Sequence, residues 1–120
     1  EATTLQYPTG GIVAKLDGII ADNCIVEIEA LNEKQIRGGV LDLVFHARPK
    51  KLLVIIPANL NNQEPEEIQK AYQSLLDNLI SRYCSHGFGK VALLKGSGHN
   101  PDKYFDEDCL AMRKILKALL

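Results

Sequence analysis

Hydrophobic positions change spacing several times along the chain, and each change marks an element. Thr3, Thr4, Leu5 and Tyr7 read as a first strand, closed by the turn residues Pro8-Thr9-Gly10-Gly11. Two arms rich in Ile and Val follow, Gly11 to Ala21 and Ile25 to Ala30, in the pattern of a β-hairpin. From about Glu33 to His46 the spacing becomes helical, with Ile36, Val40, Leu43 and Val44 inward and Leu41 on the flank. Asn32, with Gln35 three residues on, resembles a capping box at its start. Arg48-Pro49-Lys50-Lys51 ends that helix and leads into Leu52 to Ile56, a continuous apolar run typical of a strand buried on both faces.

A second helix is expected from Pro65 to Ser85, with Ile68, Tyr72, Leu75, Leu76, Leu79, Ile80 and Tyr83 inward and Gly87 as its stop. Lys90 to Lys95 reads as another buried strand. The last helix, Asp102 to Leu119, turns Phe105, Cys109, Met112, Leu116 and Leu119 inward. The expected fold is α/β: a mixed sheet with an antiparallel hairpin followed by β-α-β-α-β-α, helices flanking the sheet. Right-handed crossover makes the Leu52 to Ile56 strand parallel to a hairpin arm. Gly38-Gly39, each costing about 1 kcal/mol against Ala inside a helix, suggests close passage over another backbone, most simply the sheet.

The hairpin carries Asp17, Glu27 and Glu29, residue types that seldom sit unpaired in sheet interiors. Side chains alternate faces along a strand, so the loop length decides which residues share a side. A two-residue turn at Asp22-Asn23 would set Asp17 opposite Ile28 and mix acid with core. A three-residue loop, Asp22-Asn23-Cys24, pairs Ala21 with Ile25 and Asp17 with Glu29. One face is then apolar, and the other carries Lys15, Asp17, Glu27 and Glu29. Like charges so placed repel, and a divalent cation such as Mg²⁺ or Mn²⁺ offsets that repulsion. Lys15 as a salt-bridge partner on a solvated outer face is the bland alternative.

With 120 residues, the chain is long enough for one domain with a real core. Its start at Glu1 rather than Met fits a processed product or a piece of a longer chain. Fourteen basic against fifteen acidic residues give a net charge of −1, so any nucleic-acid partner must be held by local charge. Cys24, Cys84 and Cys109 show no metal-type spacing, which fits buried thiols in a reducing, cytoplasmic setting. No run is long enough for a membrane span.

The order of Leu16-Asp17-Gly18, Glu27-Ile28-Glu29, the Asn32 to His46 helix and the Leu52 to Ile56 strand resembles the core of the PD-(D/E)XK nuclease superfamily, the restriction-endonuclease-like fold. The resemblance covers about a third of the chain. It implies a metal-dependent nuclease acting on DNA, with Asp17 and Glu27 holding Mg²⁺ or Mn²⁺ at the scissile phosphate. The family's third position, usually Lys, is Glu29 here, as in some restriction enzymes. The helix that normally precedes the first strand has no counterpart in Glu1 to Gly10. A possible homodimer, or further domains of a longer chain, follows from the same resemblance.

Several other residues are candidates beside that core. Glu29 would orient a water or hold a second ion. Lys34, Gln35 and Arg37 open the following helix and are placed to touch a phosphate, with Gln35 counted in the catalytic set. Arg48, Lys50 and Lys51 form a basic cluster for the DNA backbone, or a plain solubilising run. Two rival functions remain: a non-catalytic nuclease-like DNA-binding or assembly module, and a small-ligand or nucleotide-binding domain using the Pro57 to Asn62 and Gly96 to Asp102 loops. Gly96-Ser97-Gly98-His99 lacks the Walker and dinucleotide patterns, which favours an ordinary loop.

Overall fold

The computed structural model describes residues 2–8, 10–30, 32–56, 64–96 and 101–120, and the backbone alone at 101 and 102. The expected Pro57 to Asn62 loop and His99 lie outside them. A small antiparallel pair comes first, β1 (Thr4–Gln6) with β2 (Val13–Lys15). The main sheet has the order β3-β4-β5-β6, built from β3 (Gly18–Ile20), β4 (Cys24–Glu29), β5 (Lys50–Ile55) and β6 (Phe88–Leu93). β3 and β4 are antiparallel, whereas β4, β5 and β6 run parallel, joined through α1 (Glu33–Phe45) and α2 (Pro65–Tyr83), with α3 (Pro101–Leu119) last. The architecture is α/β with a mixed sheet.

Period-two alternation in the sheet sends two apolar sets to two layers. Ile25, Leu53, Ile55 and Val91 meet Ile36, Val40, Leu43 and Val44 of α1 and Ile68, Tyr72, Leu76 and Ile80 of α2. On the other face, Cys24, Val26, Leu52, Val54 and Ala92 meet Met112, Ile115, Leu116 and Leu119 of α3. The inward sets of α1 and α2 follow the sequence periodicity, but two expected core aromatics do not: Tyr83 is 58% exposed and Phe105 63% exposed. Both sit near helix ends; Tyr83 instead lies against Phe45, ring centroids 5.5 Å apart.

The hairpin differs from expectation in three ways. The arm expected from Gly11 to Ala21 is broken at Leu16-Asp17, where the chain leaves its pairing with β1 and joins β4. Leu16 turns into the core under the helices instead of keeping the alternation. The loop has three residues but is Ala21-Asp22-Asn23, one earlier than expected, giving Ile20↔Cys24 and Gly18↔Val26. Ala21 and Asp22 adopt left-handed φ of 50° and 61°, a conformation Asp takes readily and Ala rarely, which is why Ala21 reads as strand in the sequence. The shift is two residues in register, so side-chain faces are kept and Asp17 falls beside Glu27 rather than Glu29.

Gly89 lets α2 approach β6: a Cβ there would stand 2.7 Å from Leu76 Cδ2 and 2.8 Å from Ile80 Cδ1. Both neighbours are buried, so they have little room to move. Gly89→Ala is therefore expected to lower unfolding stability in urea by about 1–3 kcal/mol, the usual penalty of overpacking. An unchanged midpoint would mean that α2 does not rest on this strand.

A carboxyl cluster at the end of the hairpin ladder

β4 runs out of antiparallel partner at its C-terminal end, and Asp17 takes over there. Asp17 N–H donates both to Val26 O at 3.1 Å and to Glu27 Oε1 at 3.1 Å. Its own Oδ2 accepts the Ile28 N–H at 2.7 Å, so a side chain supplies the bond that a longer β3 would have made. Glu27 and Glu29, two apart on β4, point with Ile25 to the face beneath α1. Gly39 of α1 stands directly over them, where a Cβ would lie 3.0 Å from Glu29 Cγ, 3.1 Å from Glu29 Oε1 and 3.4 Å from Glu27 Oε2. The glycine thus makes room for two carboxyl side chains, not for the sheet backbone, while Gly38 faces open space.

Glu27 is only 6% exposed, and loss of hydration is the main cause that pushes its carboxyl up to about 8. Its hydrogen bond with Glu29 and the charges of Asp17 and Glu29 act in the same direction, and the Asp17 N–H opposes them. Glu29 is half-buried and also raised, first by burial, with Asp17 and Asp42 adding to the effect against the hydrogen bond from Glu27. Two carboxyls sharing one proton is the arrangement expected where like charges are brought together out of water.

Tyr7 and Asp42 complete this corner, and sequence reasoning missed both. The Tyr7 hydroxyl donates to Asp42 Oδ1 from 35 residues away. Burial raises the phenol, followed by its bond to Asp42 and the charges of Asp42 and Glu27. A tyrosine in a short strand and an aspartate on a helix read as ordinary surface, and no local spacing links them.

The nominated basic residues divide. Lys34, Gln35 and Arg37 are exposed on the first turns of α1, at the carboxyl end of the sheet. Gln35 is one turn before Gly39 on the same side of the helix, and its N–H donates to Asn32 Oδ1 at 3.0 Å. Arg37 is engaged by the Tyr72 hydroxyl. Arg48, Lys50 and Lys51 lie at the other end: Lys50 is level with Cys24, three residues or about 10 Å along the strand from the Glu27 level. The basic cluster expected there does not exist as a surface. Alternation puts Lys50 and Lys51 on opposite faces, and Lys51 is 1% exposed. Its Nζ donates to His46 O at 2.8 Å and Arg48 O at 2.6 Å, placing a cation at the negative C-terminal end of α1. Lys51, buried and held by these carbonyls, is closed to a DNA backbone, contrary to expectation. Arg48 is instead 3.9 Å from the exposed Asp22 carboxylate.

Hard carboxylate oxygens under a side-chain-free helix position suit Mg²⁺ or Mn²⁺ by chemistry. As placed, no group of three His, Cys, Asp or Glu among the described residues converges tightly enough to hold a metal ion. Glu27 and Glu29 are hydrogen-bonded to each other instead, so holding a cation requires them to release the proton between them. Among the described residues no helix is long and apolar enough to cross a membrane. No protein-family model, curated protein or solved structure matches the chain.

Because the folded state raises Glu27 above its unfolded value near 4.5, its contribution to stability is full below about 4.5 and is lost as pH rises through about 8. Urea denaturation from pH 5 to pH 9 should show a decline of roughly 1–3 kcal/mol that Glu27→Gln largely removes. A wild-type slope equal to that of Glu27→Gln would contradict this reading of the pair.

Proposed function

We propose that this protein is a divalent-cation-dependent phosphodiesterase acting on DNA, with a restriction-endonuclease-like arrangement of its hairpin, first long helix and parallel strand. The observation that carries the reading is the gathering of Asp17, Glu27 and Glu29 at the end of the hairpin ladder, with Glu27 and Glu29 beneath Gly39 and Asp17 exposed beside them. In it Asp17 and Glu27 hold Mg²⁺ or Mn²⁺. Such an ion supplies polarisation of a phosphoryl oxygen and an acidified water. With the shared proton released, Glu29 would orient the attacking water and accept its proton, or hold a second ion. Lys34 and Gln35, with the N-terminal end of α1, meet the phosphate backbone. Cutting both strands of a duplex calls for two such sites, so a homodimer or a further domain belongs to the proposal.

One observation favours a second reading, a nuclease-like module that binds or assembles without catalysis: Glu29 stands where the family usually has Lys, and it is occupied by Glu27. The strand-end ligand reading is weakened near β6. Asp108 already accepts the Lys95 N–H at 2.9 Å and the Gly96 N–H at 3.0 Å, the backbone donors at the start of that loop.

Calorimetric titration with Mn²⁺ at pH 8, with and without duplex DNA, separates these readings. Binding by the wild type that Asp17→Asn and Glu27→Gln each weaken by roughly tenfold or more, the loss of one hard ligand, is expected. Strand cleavage dependent on the same residues distinguishes the catalytic reading from the second. If Mn²⁺ fails to bind even beside DNA, the phosphodiesterase proposal is wrong.

A further inference from the structure

Among the described residues β6 is the last strand of the sheet, so alternate backbone groups along it point away from β5 toward an edge that no further strand covers. Gln73 of α2 reaches across that edge. Its Oε1 accepts the Val91 N–H at 2.8 Å and its Nε2 donates to Gly89 O at 3.0 Å. A second Nε2 hydrogen goes to Asp77 Oδ1 at 3.0 Å, which fixes the direction of the amide. Gln69, one turn earlier, donates to Val91 O at 3.1 Å. A side-chain amide offers one acceptor and a donor side by side, as the peptide group of a neighbouring strand would.

We propose that Gln73, with Gln69, holds shut a self-pairing strand whose occupant, once the edge is opened, is a second copy of this chain. Phe88–Leu93 is self-complementary about a two-fold axis at Val91. In antiparallel pairing with its own copy, Val91 faces its counterpart, Gly89 faces Leu93 and Lys90 faces Ala92. Gly89 O and the Val91 N–H and C=O, the groups now held by the glutamines, are those such pairing uses. Lys90 is the sole charge in the segment, so no like charges are set opposite one another. Phe88 is already 44% exposed beside this edge. The strand itself lacks the Pro or bulge that commonly blunts an edge, leaving the glutamines of α2 to do so. This inference concerns association alone and stands whether or not the carboxyl cluster binds a cation.

The test compares wild type, Gln73→Ala, Gln73→Glu and Gln69→Ala by sedimentation and by amide hydrogen exchange at Val91. Wild type should protect the Val91 amide and show no association through β6. In Gln73→Ala that amide should exchange roughly tenfold faster at low concentration and regain protection as a dimer forms at higher concentration. Gln73→Glu, which sets a carboxylate on the edge, should stay unassociated through it. Gln69→Ala, which loses one bond of the three, should shift in the same direction as Gln73→Ala but less, and keeps the test open if Gln73→Ala fails to fold. A folded Gln73→Ala or Gln69→Ala with unchanged Val91 exchange and no added association would overturn the proposal, as would wild type already paired through β6.

Discussion

Two carboxyl side chains on one strand, turned inward under a helix, set the terms for the rest of this structure. Removing an ionised carboxylate from water costs several kcal/mol even after relaxation, so Glu27 and Glu29 do not both stay charged where they are. The fold answers with a shared proton, with the Asp17 N–H on Glu27 Oε1, and with a glycine at the helix position directly above. Each answer comes from a different element. The bend before β3 supplies Asp17, β4 supplies the pair, and α1 supplies Gly39.

The proton and a divalent cation are alternative solutions to the same electrostatic problem. In the protonated arrangement the two carboxyls close on each other and Asp17 is spent on the Ile28 N–H. The proposed activity requires that this arrangement give way. That ties metal affinity to pH and makes the corner formed with Tyr7 and Asp42 part of the same charge balance, since Asp42 acts on Glu29 and Glu27 acts on Tyr7. At the opposite end of the strands a charge of the other sign is buried: Lys51 meets the carbonyl of His46, which caps α1, and that of Arg48 just beyond it.

Periodicity made the order of elements, the parallel crossover after α1 and the buried stripes of α1 and α2 legible, because apolar spacing reports directly which side is covered. Face parity made the acidic cluster legible as well: an odd loop keeps Asp17, Glu27 and Glu29 together whether it turns at residue 21 or 22. The residue-level register was not legible, since it depends on Ala21 accepting a left-handed φ that its own chemistry disfavours. Nor was the break at Leu16, which is driven by burial beneath the helices. Lys51 misled because a charged residue at a strand start reads as solvated, while its burial is decided by carbonyls of a preceding helix end. Tyr7 with Asp42 and Gln73 with Val91 are contacts across long stretches of sequence that no local pattern encodes.

The central claim is that Glu27 is held protonated near neutral pH by its burial and its partner. Following the side-chain carboxyl carbon of Glu27 by NMR through a pH titration tests it directly. The account predicts a transition far above the ordinary carboxylate range, near 8, which moves down when Mg²⁺ or Mn²⁺ is added. A transition at the ordinary value near 4.5, with Glu27 ionised and unperturbed at neutral pH, would contradict it.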